Sequence, residues 1–523
     1  MTMHKRMRIG VVLGAMGIIL ACDDNKFLTE RPFDFIGPAN FYNNAGDAVA
    51  AINGVYADFI NSTNDNYYGR NFVMVVEHLT EMWTSRLAAT NERMQTDVYA
   101  LPVSHAYIQT IWGSAYDAIN RANSVLDKVP PIAMDEALKN RILAEAKFLR
   151  ATHYFNLVRM FGGVPIKLHE TQGLDSLQVP RNTAQEVYAL IEQDLKDAIN
   201  VLPSAKSYTG SDIGRASKGA AKTLLAKVYL QRAGTGVGTA ADWQNALTYA
   251  KQVQSGGDYS LVADYKSLFD FIGGTVQERN SEVIFDIQNI RATGLGGRIS
   301  SHVAANATAP YLGAATNGSF NAESIWFASF RTDDKRREGT FVFSWNRGGT
   351  IVNYVPNNAA SSPYASETPF PRKFLDIAMT GTSAEEPNYI ILRYAEVLLM
   401  IAEAANEVGG SPTAEAYAAV NAVRARAGIP AMTPGLSHDL FRDSVFNERR
   451  WELSLEGPNG YFDSQRNWAW SKARIEQSMK LARTNSSKFP KANNTPINDK
   501  YKLMPIPQRA LDLNPKLTQN PGW

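Results

Sequence analysis

The stretch from Asp135 to Pro165, DEALKNRILAEAKFLRATHYFNLVRMFGGVP, limits the fold more than any other part of the chain. Asp135 and Glu136 open it, where carboxylates suit the positive end of a helix dipole, and Arg159 falls in its last turn. Gly162-Gly163 stops the helix and Pro165 prevents it from resuming. Phe148, Ala151, Phe155 and Val158 fall at i, i+3, i+7 and i+10, which is one face, and Leu149 and Tyr154 make a second apolar surface beside it. A helix of roughly 26 residues is about 39 Å long. One that is apolar over more than a single stripe must be covered by several neighbours, and Ala144, Ala146 and Ala151 leave room for them. The expectation is a helical scaffold built around this segment.

Other segments support a mainly α fold. Asp47 to Ile60 reads as a helix, and so does Ala106 to Val129, with an interruption near Gly113 and a stop at Pro130-Pro131. Thr183 and Glu186 have the spacing of a capping box at the head of Thr183 to Leu202. Lys218 to Ala233 and Asp242 to Gln254 are spaced like a tetratricopeptide helix pair. A second such pair is expected from Tyr389 to Val408 and from a helix capped at Ser411-Pro412, with Ala416, Ala419, Val420 and Val423 inward and Gly428 at its end. Between these pairs, residues 258–388 carry short β-like runs such as Glu282 to Ile287 and read as too polar for a core. Long loops on a rigid scaffold are where function usually sits.

Charge excludes one class of partner. The formal net charge of +2 includes Lys5, Arg6 and Arg8, which sit in a short basic and apolar N-terminal segment of signal-peptide type. Without Met1 to Ala21 the balance is near −1, so no net basic face is available for nucleic acid. The single cysteine, Cys22, rules out internal disulfides and cysteine-rich zinc sites. It follows Ile19-Leu20-Ala21, a sequence similar to a bacterial lipobox, so Cys22 is the expected lipidation site. Acyl chains there would give stable anchoring. Asp23-Asp24 resembles the surface-export signal of some outer-membrane lipoproteins.

Catalytic patterns are missing from the sequence. His78, His105, His153, His169, His302 and His438 are scattered, and none has H-E-x-x-H spacing. Gly214 to Thr223 lacks the Gly-Lys-Ser/Thr of a phosphate loop, and there is no Gly-x-Ser-x-Gly elbow. Glu448, Glu452 and Glu456 recur at i, i+4 and i+8, and are read as a solvated or ion-paired face rather than a carboxylate site. Arg331 to Glu338 is read as a solvated charge run. No catalytic residue, metal ligand or cofactor is assigned.

Several blocks together resemble the SusD/RagB family of outer-membrane nutrient-binding lipoproteins. They are AEAKFLRATHYFNLVRMFGGVP (Ala144 to Pro165), AAKTLLAKVYLQRA (Ala220 to Ala233), ILRYAEVLLMIAEAANEVG (Ile391 to Gly409), VNAVRARAG (Val420 to Gly428), NERRWELSLEGPNGYFDSQRNW (Asn447 to Trp468) and YKLMPIPQRALDLNPKLTQNPGW (Tyr501 to Trp523). They follow the family order. One departure is Gly457-Pro458-Asn459-Gly460, where the family usually has a Gly-His-Arg-like step. The resemblance implies four tetratricopeptide-like helix pairs, a lid role over a SusC-like TonB-dependent outer-membrane porin, an outward-facing lipid anchor, and capture of glycans or other oligomers.

A glycan binder needs flat aromatic faces for sugar C–H surfaces and Arg, Asn or Asp for hydroxyls. The early candidates are Trp83, Arg86 and Asn91, with Tyr67 and Tyr68 near them. Those of the middle region are Tyr311, Asn317, Trp345 and Tyr354. Trp326 is assigned to the core, and Trp83 is balanced between ligand contact and core. The expected division is a leader at 1–21, an N-terminal helical region at 22–257, a loop-rich middle at 258–388 with the ligand surface, and a C-terminal region at 389–523. The alternatives are the same scaffold binding peptides or another nutrient, a structural lid, and a hydrolase.

Overall fold

A computed structural model describes residues 41–60, 67–85, 91–173, 177–270, 280–291, 296–304, 316–347, 350–353, 369–379, 385–457, 459–485 and 496–523. The fold is mostly helical, with a few short strands. The helices used below are α1 (Ala45–Ala57), α2 (Phe72–His78), α3 (Ala106–Lys128), α4 (Glu136–Phe161), α5 (Ala184–Val201), α6 (Lys218–Gly234), α7 (Ala241–Gly256), α8 (Tyr394–Gly409), α9 (Ala414–Ala427), α10 (His438–Leu453), α11 (Gly460–Arg466) and α12 (Trp468–Asn485).

The organising helix is α4. The Asp135 side chain caps it by accepting from the Leu138 amide, and Gly162 ends it at a φ of 72°. Every residue from Phe148 to Phe161 is buried, polar ones included. The neighbours that achieve this are α1, α3 and α5. The polar residues are paired across those contacts. Arg150 makes two 2.8 Å hydrogen bonds to Asp194 on α5 and donates to Asn123 Oδ1 on α3.

Each helix then packs on the next in chain order, α3 on α4, α4 on α5, α5 on α6 and α6 on α7. From α7 the array continues to α8 across the whole middle region, and α8 packs on α9 and α10. The capping box at Thr183 and Glu186 forms as expected. Three boundaries differ from expectation. Helix α3 runs through Gly113 without a break, because a helical glycine with open space around it costs propensity but forces no kink. Tyr389–Arg393 is a strand rather than the start of α8, and its five residues are all buried. Thr413 rather than Ser411 caps α9.

The strands come in antiparallel pairs. β1 (Trp83–Thr84) pairs with β3 (Asn321–Ala322), and β2 (Val283–Ile287) pairs with β8 (Tyr389–Arg393). β4 (Phe341–Val342) pairs with β7 (Phe370–Pro371), and β5 (Ser344–Arg347) with β6 (Thr350–Asn353). Against expectation, the middle region supplies core: Phe320, Trp326, Phe330, Phe341 and Phe374 are all buried. Its scattered aromatics converge only in three dimensions.

The glutamate series is ion-paired, as one of its two readings had it, and lies in the interior; in the run at 331–338 Asp334 and Arg336 are buried with it, while Arg331, Asp333, Lys335 and Glu338 are exposed as expected. Glu448 and Glu452 have no exposed surface, and Glu456 is buried beside them. Arg336, from the run at 331–338, donates to Glu448 at 2.6 Å and to Asp334. Arg393 on β8 bridges Glu282 at 2.8 Å, Glu452 and Glu456. Arg426 on α9 reaches Glu282 and Glu452, Arg424 reaches Glu448, and Lys373 reaches Glu456. Asp334, Glu282, Glu448, Glu452 and Glu456 thus face Arg336, Lys373, Arg393, Arg424 and Arg426 one for one. Burial alone would raise the Glu452 carboxyl, but Arg426, Arg393 and Arg336 outweigh it and hold the group well below the usual carboxylate range. Such a cluster is neutral in sum and selective in geometry, so it joins the middle region to α9 and α10 in one register.

The Gly457–Gly460 departure also has a steric logic at its ends. Gly457 adopts a φ of 54°, and a Cβ there would lie 2.4 Å from the Ile391 carbonyl oxygen. A Cβ on Gly460 would lie 2.9 Å from Thr80 and 3.1 Å from both Glu77 carboxyl oxygens.

Candidate functional site

The sequence candidates do not all lie on one surface. Trp83 is a core residue, and this corrects its assignment as a ligand contact. It has no exposed surface, and its ring packs 4.9 Å from Trp326, 6.0 Å from Phe341 and 6.3 Å from Phe320. Polar neighbours in sequence hid this, because its packing partners are more than 200 residues away. Tyr67 and Tyr68 are buried too, and both hydroxyls accept from Asn156 Nδ2, at 2.8 and 2.6 Å. They form part of a single π-helical turn, Tyr67–Asn71. Arg86, Tyr311, Tyr354 and Cys22 lie outside the described residues. Trp345 stands in β5 opposite Val352, and Asn91 begins a short helix, Asn91–Asp97.

The tertiary structure does bring the early and middle segments together. The backbone pairs Trp83 with Ala322 and Thr84 with Asn321. Asp97 holds the end of β1 by accepting from Thr84 Oγ1 at 2.6 Å and from the Ser85 amide at 3.1 Å. Arg93, two residues after Asn91, donates to Ser319 Oγ at 2.7 Å. Two residues before Ser319, the Asn317 amide donates to the Ser301 carbonyl at 2.8 Å, and the Asn317 side chain is half-buried. Ser319 Oγ also meets His302 Nδ1 at 2.9 Å, and its carbonyl meets His78 Nε2 at 2.9 Å. The helix bearing Asn91 and the segment bearing Asn317 are thereby tied at one place. β5, with Trp345, follows β4, whose Phe341 packs on Trp83 and Trp326.

The polar groups at this junction, Arg93, Asp97, His78, His302 and Ser319, are buried and bonded within the protein. Burial pushes His302 well below its ordinary value, and the charges of Arg70, Arg93, Arg298 and His78 push it the same way, so its ring is neutral at pH 7. Arg93, His302 and Ser319 were not anticipated from sequence. No local motif marks them, since Arg93 and Ser319 are 226 residues apart. Among the described residues no group of His, Cys, Asp and Glu could hold a metal ion, and no helix is long and apolar enough to cross a membrane.

Comparison with known families settles the lineage. Residues 249–523 match the SusD family. The chain belongs to the SusD family. Residues 41–230 match a second model, described as starch-binding and associating with the outer membrane. Among its relatives, SusD-like protein P2 of Formosa agariphila is 28% identical over 473 residues, covering 85% of this chain and 87% of that protein. The starch-binding protein SusD of Bacteroides thetaiotaomicron is 30% identical over 184 residues, covering 35% of this chain and 31% of that protein. A crystal structure of a SusD homolog from Bacteroides thetaiotaomicron superposes with a TM-score of 0.80 at 27% identity, covering 92% of this chain and 98% of that one.

Proposed function

We propose that this SusD-family protein captures oligosaccharides at the outer membrane and passes them to a SusC-like TonB-dependent porin. The supporting observation is the junction of segments remote in sequence. Asn91, Asn317 and Trp345 are carried by elements that meet through the β1–β3 pairing, the Arg93–Ser319 hydrogen bond and the aromatic cluster around Trp83. With Arg86 and Tyr311, which lie outside the described residues, these are the residue types, amide, guanidinium and aromatic ring, that a sugar needs. The family description of starch binding and outer-membrane association supports the same reading.

In this proposal residues 1–21 are a leader and Cys22 carries the lipid that holds the protein on the outer face of the membrane. Residues 22–257 and 389–523 are the scaffold, and residues 258–388 contribute ligand contacts. The role is binding without turnover. A purely structural lid is the second reading, and the burial of Trp83, Tyr67 and Tyr68 speaks for it.

The test is calorimetry of the mature chain against α- and β-glucan oligosaccharides, with the Trp345→Ala and Asn317→Ala variants alongside. Binding that falls in both variants supports capture. No binding to any glycan, combined with co-purification of the porin, establishes the lid instead.

A further inference from the structure

Away from that junction, α4, α5, α6, α11 and the C-terminal segment surround a half-open cavity of about 520 Å³. That volume lies within the range of small-molecule sites. Val158, Ala184, Tyr188, Val237, Trp468 and Leu503 give it an apolar wall. Three cations also line it, Arg159, Arg466 and Lys502, and among its described residues there is no Asp or Glu. What the cavity can hold depends on whether any of those charges is free to act.

None of them is. Arg159 is sealed: its guanidinium lies 4.0 Å from the ring centres of both Phe155 and Phe462, and its one unbonded nitrogen, Nη1, has no accessible surface. Arg466 is spent on Glu403, which accepts from Nε and Nη2 at 2.9 Å, and on Asp463, which accepts from Nη1 at 2.8 Å. Lys502 is exposed, with its ammonium 3.8 Å from Asp499. The amides of the wall are closed on the protein too. Arg466 Nη1 also donates to Gln231 Oε1, Gln231 Nε2 donates to Gln465 Oε1 at 2.9 Å, and Gln465 Nε2 donates to the Arg159 and Lys502 carbonyls. Trp468 Nε1 is taken by Asp499 at 3.0 Å. An ion entering this space would lose hydration and meet no counter-charge. Water is held poorly where polar partners are already committed. An uncharged apolar molecule meets neither cost, and it takes the wall out of contact with water.

We propose that this cavity is a binding site for one small uncharged aromatic or alicyclic molecule, whose apolar body lies against Trp468, Val237 and Leu503. It is built from other elements than the glycan junction, and it does not depend on the glycan reading. The experiment is calorimetric titration of the mature chain with naphthol, alongside naphthoate and naphthylmethylammonium as charged counterparts of similar shape. The expected result is saturable binding of naphthol, one per chain, with both ions weaker by about tenfold or more. Two variants fill the space from different sides, Ala184→Trp from α5 and Val237→Trp from the turn between α6 and α7. Both positions are partly exposed, so each variant should keep the parent's melting curve and lose naphthol binding. Absence of saturable naphthol binding, more than one site per chain, equal binding of either ion, or full binding to either folded variant would each overturn the assignment.

Discussion

Arg336 and Glu448, 112 residues apart in the chain, meet as a 2.6 Å ion pair in which neither side chain has any exposed surface. The pair joins a polar-looking run of the middle region to α10. Around it the charges alternate, with Arg424 on the other Glu448 oxygen at 2.6 Å and Glu452 3.3 Å from Arg336. Removing one member leaves a buried charge without its counterpart. Glu448→Gln is therefore expected to lower stability by about 3–5 kcal/mol. Urea unfolding followed by circular dichroism measures this, and a loss below about 1 kcal/mol would show that water reaches the cluster.

Stability should be greatest in mildly acidic solution. Glu452 and Asp463 are held well below their ordinary values of 4.5 and 3.8; in both, burial is overcome by neighbouring arginines. Their contribution is complete above those values and is lost as pH falls below them. Glu77 and Glu385 are the reverse case. Burial pushes each up to about 8, and the hydrogen bonds and charges around them offset it only in part. Their contribution is complete below 4.5 and fades as pH rises to about 8. The melting temperature is thus expected to peak near about pH 5 and to fall on both sides. Glu385→Gln, which mimics the protonated form, should flatten the alkaline limb; an unchanged slope in that variant would remove Glu385 as its source.

Two glycines should respond in opposite directions to alanine. Gly113→Ala sits inside α3 with nothing near the new Cβ, and should stabilise by up to about 1 kcal/mol. Gly457→Ala combines a φ of 54° with a 2.4 Å approach to a carbonyl oxygen. It should cost about 1–3 kcal/mol or more. Thermal melts of the two variants decide, and equal shifts would contradict the steric argument.

Trp83 and Asn317 separate core from site. Trp83→Ala empties a space among Trp326, Phe341 and Phe320 and should cost about 3–5 kcal/mol. Asn317→Ala, half-buried at the junction, should leave the melting temperature within a degree or two, about 0.5 kcal/mol. Under the capture proposal it should also weaken oligosaccharide binding. Calorimetry beside melting curves checks both. A stable Trp83→Ala that loses only ligand would return Trp83 to the site.

Much of the scaffold was legible in sequence. The capping box at Thr183, the glycine stop at Gly162 and the inward face of α9 depend on spacings of a few residues, and all appear where the pattern put them. The strand Tyr389–Arg393 was read as helix because a short apolar run has no distinguishing period. Its pairing with Val283–Ile287, about a hundred residues earlier, decided its conformation.

By itself the sequence determined the helical array, since caps, stops and apolar stripes are local properties of the chain. It also carried the family, through blocks whose order survives along the whole length. Only the tertiary structure decided which polar and aromatic residues are interior. Whether Trp83 faces a ligand or Trp326, and whether Arg336 faces water or Glu448, depends on partners that are distant in sequence. Burial sets the dielectric around a charge and the surface left on a ring, and burial is a property of the packed chain.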